Sequence, residues 1–107
     1  MDIDYIDQDG GQVVVFTARG RTSINLAGSE TLEKIASGIR SAAERSEVRC
    51  AILQGCTPQA FIGGADLKEL GQLTTATAES FIRGVHNVCS TIREFPVPVI
   101  ARIQGYC

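Results

Sequence analysis

The sequence predicts an α/β fold with parallel strands, on three observations. Apolar runs of strand length at residues 13–16, 48–53 and 99–103 alternate with two stretches whose apolar residues recur at helical spacing. One such stretch lies between the second and third runs, which makes a βαβ unit, and crossovers of this kind set parallel strands side by side under a helix. No low-complexity or linker-like segment divides the 107 residues, so they read as one domain or less.

In chain order, Asp9-Gly10-Gly11 supplies residues that tolerate positive φ in a tight reversal, so a β-hairpin is expected with its second strand over residues 12–18. Residues 19–25 are polar and without period, which reads as a loop. A helix then begins near Ser29, a usable N-cap with Glu30 and Glu33 in the first turn, and ends around Arg45 and Ser46. Leu32, Ile35, Ala36, Ile39 and Ala43 fall on one of its faces. Residues 48–53 carry Arg49 as their one charge and read as a buried parallel strand, followed by a long loop through Gly55, Pro58, Gly63 and Gly64. Thr77 can cap a second helix whose core stripe is Phe81, Ile82, Val85, Val88, Cys89 and Ile92. Pro96 and Pro98 stop it, since each lacks a backbone donor and restricts the residue before it, and residues 99–103 form another strand. Nothing after Gln104-Gly105-Tyr106-Cys107 covers the second face of the sheet. Parallel sheets are normally covered on both faces, so the sequence reads as a front portion or as a chain needing a partner.

Ten Lys and Arg against twelve Asp and Glu give a net charge of -2. With no basic run to track a phosphate backbone or an anionic bilayer, neither nucleic acid nor membrane is expected as a partner. The acidic opening Met1-Asp2-Ile3-Asp4-Tyr5 lacks the basic character of an export or organelle signal, which points to the cytoplasm. Arg19, Arg49, Arg83 and Arg102 interrupt the apolar segments, so none reaches the roughly 20 residues of a spanning helix. Cys50, Cys56, Cys89 and Cys107 contain no C-x-x-C pair and His86 is the single histidine, so no metal site is expected. The thiols read as reduced, small core residues, and His86 as a packing or half-exposed helical side chain.

Chemistry is concentrated in residues 60–70, Ala-Phe-Ile-Gly-Gly-Ala-Asp-Leu-Lys-Glu-Leu, just after the strand that ends near Leu53. Gly63 and Gly64 have no β-carbon, so a ligand can approach the main chain, and amides at the start of a helical turn stand unpaired. Such amides favour partial negative charge. A glycine loop after a strand is ordinary structure by itself. The G-x-x-x-x-G-K-S/T and G-x-G-x-x-G patterns are both absent, which removes phosphate-cradling nucleotide loops. Asp66 reads as the cap of the short turn that follows.

Ala60-Phe61, two residues, then Gly64-Ala65-Asp66-Leu67-Lys68-Glu69 resembles the first signature of the enoyl-CoA hydratase/isomerase (crotonase) family. Residues 96–106 resemble the family's downstream strand and turn, with Gln104 where Asn is commoner, and Asn25-Leu26 extends the likeness over nearly the whole chain. The resemblance implies a crotonase-like (ClpP/crotonase) superhelix of repeated β-β-α units, incomplete here, with residues 1–107 as the N-terminal part of a single domain. It implies that the Ala65 N–H is one of two donors to the thioester oxygen of a bound acyl-CoA, where enolate charge gathers. A preorganised donor of this kind is worth about 3 kcal/mol.

By the same resemblance, Gly63, Gly64, Asp66, Leu67, Lys68 and Leu70 surround the substrate. Lys68, Arg21 and Arg19 are candidates for CoA phosphate, which a guanidinium suits, and Leu67 and Leu70 would border the acyl pocket. Coenzyme A is part of the substrate, and no other cofactor is implied. The implied activity is hydration of 2-enoyl-CoA in fatty acid metabolism. Enoyl-CoA isomerisation, another family activity and a truncated, non-catalytic remnant that binds acyl-CoA or serves as an interaction module stay open. The second donor and the acid and base groups are expected beyond Cys107, so Glu69, Glu79 and Glu94 read as solvated. The 107 residues alone are expected to be inactive, and the complete protein to form a homotrimer or hexamer.

Overall fold

A computed structural model describes all 107 residues. The expected hairpin is formed by β1 (Asp2–Gln8) and β2 (Gly11–Ala18), with Ile3 opposite Phe16 and Tyr5 opposite Val14. Gly10, at φ 87, makes the reversal. There follow β3 (Leu26–Ala27), α1 (Ser29–Ala43), β4 (Val48–Gly55), β5 (Gly64–Ala65), α2 (Leu67–Leu70), α3 (Thr75–Arg93) and β6 (Val99–Arg102). One sheet has the order β1-β2-β4-β6, with β2, β4 and β6 parallel. The other is the parallel pair β3-β5. A strand of the large sheet, a strand of the small sheet and a helix thus recur twice, as β2-β3-α1 and then β4-β5-α2-α3.

One face of the large sheet holds the core. Val14, Phe16 and Ala18 of β2 and Val48, Ala51 and Leu53 of β4 pack with Ile35, Ile39 and Ala42 of α1. Phe95, in the turn that Pro96 imposes after α3, closes the cluster with its ring edge-on to Phe16 at 6.0 Å. A second, smaller cluster of Ala27, Leu32 and Phe81 lies beneath the glycine segment and is flanked by Ile62, Ala65 and Leu70. The first half of α3 serves this cluster and its second half the main core. The other face of the large sheet is open: Cys50, Ile52 and Gln54 of β4 are only partly buried, so the strand expected to be buried on both sides is buried on one.

Several boundaries differ from the sequence expectation for physical reasons. The N-cap of α1 is Gly28, which makes no side-chain bond, and Ser29 is the first helical residue. α1 ends at Ala43 rather than at Arg45 or Ser46, because the Glu44 and Arg45 amides bond three residues back, to Ser41 and Ala42, and tighten the last turn. α3 is capped by Thr74, not Thr77. Thr77 is the reciprocal partner of a capping box, its hydroxyl accepting the Thr74 N–H at 2.7 Å while Thr74 Oγ1 accepts the Thr77 N–H at 3.3 Å. In the α3 stripe Phe81 is buried and Val85, Val88 and Ile92 partly so, but Ile82 and Cys89 face outward. The cysteines are all free and none is core: Cys50 and Cys56 are partly buried, Cys89 and Cys107 exposed. His86 is exposed on α3. No helix is long and apolar enough to cross a membrane.

Candidate functional site

The carboxyl ends of β2, β4 and β6 lie together in the parallel sheet, and the segments that leave them are tied to one another. Thr57 Oγ1 donates to the Ser23 carbonyl at 3.0 Å. The Phe61 N–H donates to Tyr106 O and the Tyr106 N–H to Gln59 O, both at 2.8 Å. Asn25 Nδ2 donates to the Phe61 carbonyl. Open α/β sheets bind ligands beyond the carboxyl ends of their strands, and this is where the Gly63-Gly64 segment stands.

The two glycines are required for different reasons. A β-carbon on Gly63 would lie 2.3 Å from the Ile24 carbonyl oxygen, to which its own N–H is bonded at 2.9 Å. Close approach of two backbones excludes a side chain there. Gly64 has open space around it but sits at φ 141, a conformation that residues with a β-carbon rarely adopt.

Ala65 follows in β5, opposite Ala27 in the parallel ladder. The Asp66 N–H is bonded to the Ala27 carbonyl at 3.0 Å. Successive amides of a strand point to opposite sides, so the Ala65 N–H points away from β3. The Leu26 carbonyl, which the opposite phase of the ladder would offer it, already takes the Arg21 N–H at 2.8 Å. The Ala65 methyl meanwhile packs on the Ala27–Leu32–Phe81 cluster. Ala65 is thus half-buried, with its amide turned away from β3. The sequence reading placed such donors at a helix start. The structure corrects this, because the four-residue α2 is capped by Asp66, whose carboxylate already takes the Lys68 N–H at 3.1 Å.

Among the charged candidates, Asp66 is buried and pairs with Arg21 Nη1 at 2.9 Å, so its role is structural as well as capping. Removing Arg21 would strand a buried carboxylate. The Arg21 side chain remains 60% exposed, with part of its guanidinium facing solvent. Arg19 turns instead to Asp2 of β1 at 2.6 Å, a contact that holds the Asp2 carboxyl below its ordinary range. Lys68 is exposed and forms no ion pair; with Arg21 it borders a recess of about 280 Å³ that Glu30, Asp66 and Glu69 also line. Leu67 is 74% exposed beside the glycine segment, whereas Leu70 turns inward to the smaller cluster.

Two residues of the site carry more than sequence reasoning gave them. Glu69, read as solvated, accepts the Ser29 N–H at 2.9 Å and the Ser29 hydroxyl, and so caps α1 from α2. Asn25, quoted only within a motif, is 1% exposed and has φ 57. The available signal was the residue type, an Asn in a polar loop, since Asn is enriched at positive φ. Glu79 pairs with Arg83 on the exposed side of α3.

Comparison with known proteins places this geometry. The sequence pattern of the enoyl-CoA hydratase/isomerase family matches residues 8–107. Mouse methylglutaconyl-CoA hydratase, mitochondrial, is 24% identical over 103 residues, which are 96% of this chain and 33% of that protein. Mouse enoyl-CoA hydratase domain-containing protein 2, mitochondrial, is 28% identical over 82 residues, 77% of this chain and 28% of that protein. The crystal structure of enoyl-CoA hydratase from Bacillus anthracis superposes with a TM-score of 0.84 at 26% identity, covering 98% of this chain and 40% of that one. An enoyl-CoA hydratase/carnithine racemase from Magnetospirillum magneticum gives the same TM-score at 25% identity. The chain thus spans well under half the length of these relatives, and the β-β-α units described above are part of a crotonase fold. With a match that runs from residue 8 to the last residue, the chain belongs to the enoyl-CoA hydratase/isomerase family.

Proposed function

We propose that the protein carrying these residues hydrates 2-enoyl-CoA thioesters, with the Ala65 N–H as one of the donors that hold the thioester oxygen. The observation that supports this most directly is the phase of the β3-β5 ladder: the Asp66 N–H is bonded to the Ala27 carbonyl, which turns the preceding Ala65 N–H away from β3. Family membership supplies the substrate class, and a matched relative is itself named a methylglutaconyl-CoA hydratase.

When water adds to the β-carbon of an enoyl thioester, electron density moves through the conjugated system onto the thioester oxygen. A fixed donor aimed at that oxygen binds the enolate more tightly than the ground-state carbonyl, and only such differential binding speeds the step. One donor contributes about 3 kcal/mol, a hundredfold or more in rate. By the family resemblance the proton-transfer groups and the second donor belong to residues outside this segment; Glu69 and Glu79 are bonded to Ser29 and Arg83. Exposed Lys68 and the free part of Arg21 serve the CoA phosphates, and Leu67 flanks the acyl chain. The assembly we propose for the whole protein is a trimer or hexamer.

The test is loss of the enoyl absorbance of crotonyl-CoA in the presence of the full-length gene product, with saturable turnover expected. Failure to hydrate any 2-enoyl-CoA, together with isomerisation of 3-enoyl-CoA, would replace hydration by double-bond migration.

A further inference from the structure

Asn25 is the one polar residue among the largest fully buried side chains, and every hydrogen-bonding group of its carboxamide is used. Nδ2 donates to the Ala18 carbonyl at 3.1 Å and to the Phe61 carbonyl. Oδ1 accepts the Gly20 N–H and lies 3.6 Å from Cys56 Sγ. One side chain therefore joins the end of β2, the loop before β3 and the segment that leaves β4. The grip is doubled by the main chain, because the Gly63 N–H lies 2.9 Å from Ile24 O and 3.3 Å from Asn25 O. Phe61 and Gly63 are the residues that lead into Gly64 and Ala65.

We infer that Asn25 is a positioning residue: its carboxamide fixes the path of residues 61–65 and thereby the aim of the Ala65 amide. This rests on the role given to Ala65 in the proposed function. The bonds run from a left-handed turn to the backbone of a different segment, which a residue serving only to fill the core does not require. An active-site group displaced by about 1 Å can cost about a hundredfold in rate, so a holder of this kind acts on turnover without touching substrate.

The variant Asn25→Asp keeps the size, the tolerance of positive φ and the acceptor for Gly20, but sets an oxygen against the two carbonyls that Nδ2 served. In the full-length gene product its kcat for crotonyl-CoA should fall about 10- to 100-fold while KM changes by less than about threefold. Hydrogen exchange should accelerate at residues 61–66 and not in α1. Ile39→Val, a core variant in the second half of α1, should lower Tm with kcat and the exchange of residues 61–66 unchanged. If Asn25→Asp does not fold, Asn25→Gly keeps the turn and removes the same bonds. Wild-type kcat in a folded Asn25 variant, or exchange that does not change at residues 61–66, overturns the positioning role. If the unaltered protein hydrates no enoyl-CoA, the hydratase reading falls, and the exchange comparison alone then decides whether Asn25 holds the segment.

Discussion

At the scale of the residue, the site depends on which way single groups point, and this is where sequence reasoning reaches least far. Gly63 and Gly64 were legible as glycines that open the main chain to a ligand, but not that a side chain is excluded at one by the Ile24 carbonyl and at the other by φ 141. The amide of Ala65 was found through a motif, since composition says nothing about the phase of a two-residue ladder. Asn25 and Glu69 were missed in their roles because their partners lie 36 and 40 residues away, beyond any local pattern. Lys68, by contrast, is as exposed and unpaired as its surroundings suggest. Replacing it with alanine should raise KM for enoyl-CoA severalfold with kcat nearly unchanged, as uniform binding to a distant phosphate is lost. Steady-state kinetics at varied crotonyl-CoA check this, and an equal fall in kcat would give Lys68 a different task.

Among the elements, length decided what could be read. α1 and α3 announce themselves by the period of their apolar residues, and β2, β4 and β6 by apolar runs. β3 and β5 are two residues each, too short for a period, yet they seat the candidate donor. Capping was misread in both long helices, for reasons of geometry: Thr74 and Thr77 are each suitable caps and only the backbone selects one, while the carboxylate that caps α1 arrives from α2. Removing that carboxylate with Glu69→Ala should lower stability by about 1 kcal/mol, within the range of a lost N-cap. Thermal unfolding of the variant would show it as a fall in Tm, and Glu69→Gln, which keeps an acceptor, should lose less. An unchanged Tm would mean that the Ser29 bonds add nothing over solvent.

For the whole molecule, the alternation of large-sheet strand, small-sheet strand and helix leaves one face of the large sheet without a covering layer. Val15 and Ile52 lie there side by side with Ile100, which is 53% exposed. A contiguous apolar face of this kind drives association. The 107-residue chain produced by itself should therefore self-associate as its concentration rises, and Ile100→Lys should shift it toward monomer in size-exclusion chromatography. A chain that stays monomeric without the substitution would show that this face is tolerated in water.

The most direct measurement is kcat/KM for crotonyl-CoA in the full-length gene product with Ala65→Pro and Ala65→Gly, both checked for native circular dichroism. Proline removes the main-chain hydrogen and glycine keeps it. A loss of about a hundredfold or more in the proline variant, with the glycine variant within about tenfold of the unaltered protein, is the predicted result. Turnover by the proline variant at the unaltered rate would contradict a role for the Ala65 N–H.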